Sequence, residues 1–403
     1  MKRYFLSLFM GLCLSVQAQA QEFSALARVD PAASGIEDAW FGRTHLALSL
    51  SQGVPFRVFT LDDPARLVLD FREVDFSGLQ ASDLLAGDSR VTDVRFGAFR
   101  PGWSRLVAEL SEPMLPEEIG MPVGRNDGRA TLEITLKSAD AETFAAAAGT
   151  PADPNWTPGF LQAAPSAPDD DRFVVVIDPG HGGIDPGAVN GGVEEKTLML
   201  TFAQLLSETL RRRGVETVLT RDADVFVALE TRVAVAHQVD GDLFVSLHAD
   251  NLSQGGAKGA TIYTLSEEAS DAASAHLAAR HNRSDIIAGV DLTGSDDQVA
   301  SVLLDLARQE TEPRSLALAQ SFAGAMAEAG GPMNRRPLRR AGFSVLKSAD
   351  IPSVLIEVGF MSSKRDLANL KDPVWRLGMV EGMANAIEAW RDADTQRQAL
   401  VRQ

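Results

Sequence analysis

The chain has 403 residues, 45% of them hydrophobic and 23% charged, a globular composition too long for one ordinary core, so two to three domains are expected. Its formal charge of −17 argues against nucleic acid as a partner and against tight contact with anionic membrane surfaces. The one cysteine, Cys13, excludes a disulfide framework and thiolate metal sites.

Residues 1–20 read as a secretory signal peptide. Lys2 and Arg3 precede the apolar run Tyr4 to Val16, and Ala18-Gln-Ala20 is a small-residue cleavage site before Gln21. The run is too short to span a bilayer, so no stable membrane anchor is expected. Leu12 stands where a lipoprotein site needs a small residue before Cys13. Cleavage would remove the cysteine and make the charge −19, leaving only His, Asp and Glu to hold a metal.

From 23 to 137, short apolar segments alternate with turns. His45 to Leu50, Phe56 to Phe59, Arg66 to Phe71, Val91 to Phe96, Ser104 to Leu110 and Ala130 to Leu136 each have period two. This predicts a small all-β sandwich. Residues 138–171, rich in Ala, Pro and Asp, read as a flexible linker.

Residues 172–395 change rhythm to strands alternating with helices, which predicts an α/β domain with a mostly parallel or mixed sheet flanked by helices. Strands are expected at Phe173 to Ile177, Glu216 to Thr220, Leu243 to Leu247, Thr261 to Leu265, Ser344 to Leu346 and Ser353 to Ile356. Helices are expected at Lys196 to Arg213, near Ala228 to Gln238 and at Pro373 to Arg391. Between Leu265 and Arg340 lies a segment far longer than a crossover needs. Helical patterns cover Ala273 to Ile287 and Val299 to Arg308 within it.

Three residues with chemistry follow strands of this domain: His181, on the turn Asp178-Pro-Gly-His181-Gly-Gly, His248 and Glu357. Ligands collect at the carboxyl ends of strands in open α/β sheets, so the three can share a crevice. Glu195, beside Glu194 at a helix start, is a fourth candidate. Two imidazoles and a carboxylate around zinc leave one position for water, the catalytic arrangement. A further carboxylate must then move the water's proton, and Glu357 is placed for that.

These residues carry a family resemblance. Val176-Ile-Asp-Pro-Gly-His181, Glu195-Lys196, Leu219-Thr-Arg-Asp222, Ser246-Leu-His248-Ala-Asp250 and Pro352-Ser-Val-Leu-Ile-Glu357 together resemble the zinc-dependent N-acetylmuramoyl-L-alanine amidases of cell division. The resemblance implies zinc bound by His181, Glu195 and His248, with Glu357 as the catalytic carboxylate. It also implies periplasmic cleavage of the amide between N-acetylmuramic acid and L-alanine of peptidoglycan during septal wall splitting. Pro55 to Pro64 and Arg66 to Phe71 resemble the AMIN domain, associated with peptidoglycan binding and targeting. The stretch Ala279-Arg-His281-Asn to Asp291 is similar to the insert of these amidases, here about 266–340. In them a helix covers the zinc until a partner, a LytM-type activator, withdraws it. His281 stands where many relatives have a metal-reaching glutamate, and is a possible inhibitory ligand.

Other polar residues have structural readings. Asp178, Asp185 and Asp250 are expected in turns or behind the ligands, and Arg221 and Arg232 in orienting ion pairs. His45 and His237 are expected to be structural. Trp40, Phe41, Phe96, Phe99 and Trp103 offer either core packing or a sugar-stacking face. A zinc peptidase acting on the stem peptide would share this chemistry. A non-catalytic wall-binding regulator would lack one of the four site residues, all of which are present.

Overall fold

The computed structural model describes residues 26–401 apart from 73, 86, 88, 101, 125–127, 152–171, 253–256, 290–300 and 349. The expected signal peptide therefore lies outside the described residues. Among them, no helix is long and apolar enough to cross a membrane.

The amino-terminal part contains β1 (Gly35–Ala39), β2 (Arg43–Leu50), β3 (Phe56–Leu61), β4 (Arg66–Arg72), β5 (Val91–Arg100), β6 (Trp103–Leu110), β7 (Met114–Gly120) and β8 (Ala130–Ser138). They build two antiparallel sheets, β1-β2-β8-β7 and β3-β4-β6-β5. Alternation drives the packing: Leu46, Leu48 and Leu50 meet Leu67, Leu69, Phe71 and Leu106 in one core. This is the expected sandwich.

Part of the expected linker, 138–171, is helical. α1 (Ala141–Ala147) follows β8 directly, with Asp140 Oδ1 accepting from Thr143 N at 2.8 Å as its cap. Phe144 is fully buried in the sandwich core. An alanine run reads as low complexity, but alanine is also the best helix former, and one buried aromatic anchors it. Residues 152–171 lie outside the described residues.

The second part contains β9 (Val174–Pro179), α2 (Glu195–Arg212), β10 (Glu216–Leu219), α3 (Leu229–Gln238), β11 (Leu243–His248), β12 (Ala260–Leu265), α4 (Ala272–Asn282), α5 (Ser284–Ile287), α6 (Ser301–Glu328), β13 (Met333–Ala341), β14 (Ser353–Glu357), α7 (Lys364–Lys371) and α8 (Pro373–Val401). The sheet order is β10-β9-β11-β14-β12-β13. Its first four strands are parallel, and β12 joins β14 antiparallel, giving the mixed sheet expected. One face packs on Phe202 and Leu206 of α2, Phe322 of α6 and Ile387 of α8. The other packs on Ala236 of α3 and Leu277 of α4. Cover on both faces is why β9, β11 and β14 read as unbroken apolar runs.

Two expectations are corrected here. Ser344–Leu346 is a single 3-10 turn rather than a strand. Val345 and Leu346 are apolar because they are buried beneath α3 and α4, not because they pair. The segment expected as one insert, 266–340, divides: Leu318, Phe322 and Met326 belong to the main core, and β13 is an edge strand paired with β12. Its sequence Met333-Asn-Arg-Arg-Pro-Leu-Arg-Arg-Ala341 hides a strand because an edge tolerates charge and proline. α4 packs on the opposite face of the sheet through Leu277 and Ala278, and residues 290–300 lie outside the described residues.

Candidate active site

The register of the sheet builds the site. β11 sits between β9 and β14, with Pro179 opposite Leu247 and His248 opposite Glu357. The strand ends thus deliver His181, His248 and Glu357 to one crevice, and α2 begins there with the fully buried Glu195. His181 Nε2 and His248 Nδ1 are 3.2 Å apart, and Glu195 Oε1 is 3.2 Å from His248 Nδ1 and 3.3 Å from His181 Nε2. Three tetrahedral ligands of zinc at about 2.0–2.1 Å would be separated by roughly 3.3 Å, so this donor triangle fits the ion. Glu194 is only half-buried and pairs with Lys196 outside the triangle.

Neighbours hold each donor in place. His181 Nδ1 meets Asp185 Oδ2 at 2.7 Å, which leaves Nε2 for the crevice. Glu195 accepts from Ala249 N through Oε1 and from Ala188 N through Oε2, both at 2.8 Å. His181 itself has φ of 61°, a left-handed conformation that must be held by its surroundings. Arg232 Nη2 donates to His181 O at 2.8 Å, while its Nη1 pairs with buried Asp178 Oδ1 at 2.6 Å. Asp178 also accepts from Thr220 and Ser246. Arg221 donates to the carbonyls of Pro179 and Gly180. Asp178, Asp185, Arg221 and Arg232 are thus the orienting residues the sequence suggested.

The electrostatics favour a bound cation. Burial pushes the His181 imidazolium down, but Asp185 and Glu195 outweigh it and raise its pKa to about 10. Burial alone would raise Glu195, yet His181 and His248 hold it well below the carboxylate range. Burial and His281 drive His248 down to about 3, keeping a lone pair available. Glu357 is raised well above its ordinary value by burial and by Glu195. Its Oε2 accepts from Asp250 N at 2.8 Å, and its Oε1 is buried without a hydrogen-bond partner among the described residues.

α4 roofs the crevice. His281, expected as a possible ligand, is buried, its ring centroid 4.3 Å from that of His248. Donor nitrogens of His181, His248 and His281 all lie within 4.8 Å of one another. His281 Nε2 is 3.5 Å from Asp250 Oδ2 and 3.8 Å from Glu357 Oε1. Burial and His181 lower its pKa to about 3. Beneath α4, a cavity of about 20 Å³ beside His181, His248 and His281 has room for about one water, and a second of about 380 Å³ runs along His181, Asp185, Arg280 and His281.

Sequence reasoning missed Arg280, which pairs with the buried Asp250 and ties the roof to the crevice. An exposed-looking arginine on a helix gives no local signal of this. The five candidate aromatics do not form one stacking face. Trp40 and Phe41 are exposed between β1 and β2, Phe96 stacks on Phe76, and Phe99 stacks on Phe226. His45 meets Thr135 on the neighbouring strand, and His237 meets Ser348.

Comparison with known proteins identifies the family. The N-acetylmuramoyl-L-alanine amidase family matches residues 175–389, and the AMIN domain matches residues 38–121. The chain is 30% identical over 370 residues to the N-acetylmuramoyl-L-alanine amidase AmiC of Neisseria meningitidis and 29% identical to AmiC of Escherichia coli, in each case with 86% of both chains covered. AmiA of Escherichia coli is 37% identical over 218 residues, 54% of this chain and 75% of that protein. A match over more than half of the chain, with both domains aligned to full-length relatives, places this protein in the family of N-acetylmuramoyl-L-alanine amidases that carry an AMIN domain.

Proposed function

We propose that the chain is a periplasmic, zinc-dependent enzyme of septal wall splitting and daughter-cell separation. It would cut the amide between the lactyl group of N-acetylmuramic acid and L-alanine. The observation that carries this reading is the triangle of His181, His248 and Glu195 donors beside the unpartnered Glu357 Oε1. Bound zinc would polarise the scissile carbonyl and acidify a water. Glu357 takes the proton of the attacking water on Oε1 and hands it to the leaving nitrogen. Its raised pKa suits a group that must hold a proton between these two steps. Asp250 N keeps Oε2 occupied, so Oε1 is the working oxygen. Muropeptide analysis of purified peptidoglycan, digested by the zinc-loaded enzyme, tests the bond assignment. Free stem peptides beginning with L-alanine are expected, and cleavage within the stem would instead favour a peptidase.

The roofed crevice supports a second element, rest-state inhibition relieved by a partner protein, for which the family resemblance suggests a LytM-type activator. Buried His281 lies against the rings of His181 and His248, and a neutral His281 can complete the donor set. His281→Ala is expected to raise basal hydrolysis about tenfold. Unchanged basal activity with activator dependence intact would remove His281 from this role.

The close packing of the site gives a further prediction. A Cβ on Gly180 would lie 2.2 Å from Cε1 of His248, so Gly180→Ala must push the imidazole out of the triangle. Zinc affinity, measured by competition with a chromogenic chelator, is expected to fall about 10–100-fold. An unaltered affinity would show that His248 is not needed at its observed position.

A further inference from the structure

The outer face of sheet β3-β4-β6-β5 is covered. In β4 the residues facing the sandwich core are buried as alternation demands, but Arg66, Val68 and Asp70 on the opposite face are buried too. What covers them includes the carboxyl end of the roof. Arg105 of β6 donates from Nη1 to Ala288 O at 3.1 Å and Gly289 O at 2.6 Å, and Arg66 Nη1 donates to Ile286 O at 2.6 Å. These are carbonyls at the end of α5, where a helix has acceptors to satisfy and favours positive charge.

The donors are organised in advance. Arg105 is nearly fully buried, its Nε and Nη2 held by both oxygens of Asp70, at 2.5 and 2.9 Å, and its guanidinium 3.5 Å from the Phe99 ring centre. Arg66 spends Nε and Nη2 on the carbonyls of Pro64 and Asp62. Ala288 is fully buried in a cluster with Phe59, Val68 and Val107 of the β domain and with Ile184 and Phe226 of the catalytic domain. Gly289 has φ of +66°, and a Cβ there would lie 2.9 Å from Val107 Cγ2 and 3.1 Å from Val68 Cγ2. The same sheet reaches the other wall of the crevice: Ile184 N, three residues after His181, donates to Ala98 O of β5 at 3.0 Å.

We propose that this face of the AMIN domain is the seat of the roof, and that Arg66 and Arg105, by gripping the carbonyls of Ile286, Ala288 and Gly289, keep α4 and His281 over the active site. The domain is then an inhibitory element of the enzyme, beyond any role in wall binding. The inhibitory part of this rests on the rest-state inhibition proposed above; the grip itself does not.

The test uses the full-length, zinc-loaded protein and two readouts: amide hydrogen exchange of residues 272–289 and basal release of stem peptides without activator. Arg105→Gln removes the grip from the β domain. Gly289→Ala disturbs it from the roof, through the close contact of its Cβ with Val107 and Val68, while every β-domain residue stays unsubstituted. Both are expected to speed exchange of the roof and raise basal hydrolysis about tenfold. Exchange in β4 and β6 reports whether the sandwich stays folded, and if Arg105→Gln unfolds it, Gly289→Ala decides. Unchanged roof exchange in a folded variant overturns the grip, whatever the activity. Faster exchange without added hydrolysis upholds the grip and overturns rest-state inhibition.

Discussion

Glu357→Gln is expected to lower the release of stem peptides from purified peptidoglycan by about 10²–10⁴-fold, the range for a general acid–base group. The amide side chain keeps the shape and the contact with Asp250 N but cannot accept and return a proton at Oε1. Folding should not suffer. The carboxyl is fully buried near Glu195, and both effects oppose its charged form, so a neutral replacement removes an unfavourable charge. Zinc content and thermal midpoint are therefore expected to match or exceed those of the wild type. A variant that digests the wall at the wild-type rate would remove Glu357 from the mechanism.

Asp178→Ala is expected to destabilise the catalytic domain by about 3–5 kcal/mol, because it strands the buried Arg232 and leaves the hydroxyls of Thr220 and Ser246 without their acceptor. For a domain of this size that is a fall in thermal midpoint of roughly 10 °C. Burial opposes ionisation of Asp178, but Arg232, Ser246 and Thr220 outweigh it and lower its pKa. A depressed carboxylate stabilises above its unfolded pKa of about 3.9 and loses that contribution as pH falls through its folded value. The gap between wild type and variant in denaturation midpoint should thus be full at pH 7 and shrink below about pH 4. A constant gap down to pH 3 would mean that the ion pair is not its source. Because Arg232 also holds His181 O, the variant should bind zinc more weakly as well.

These two residues differ in how visible they were. Glu357 could be singled out because it follows an apolar run and stands level with His248, a relation that strand ends make local. The turn Gly180-His181-Gly182 was equally readable, since glycine and proline mark where a strand must stop. β13 was not readable, because an edge strand of arginines and a proline has no apolar alternation. The residues of α1 read as linker because composition says nothing of where Phe144 will be buried. Asp250 reads as a residue of a turn or behind the ligands, and the fold sets it beside His281 and Glu357.

The two-domain order, the strands buried on both faces, and the histidines and carboxylates standing at their carboxyl ends are legible in the order of amino acids. Each of these depends on short-range periodicity and turn chemistry. The spacing of the donor triangle, the pairing of Arg280 with Asp250 and the placing of His281 of α4 against His248 come from the packing of distant segments. The tertiary structure alone also seats Gly289 on Arg105, a contact between residues 184 positions apart. The physical reason is range: a hydrogen bond needs its partners within about 3 Å, and nothing in a local pattern says which distant segment will supply the partner.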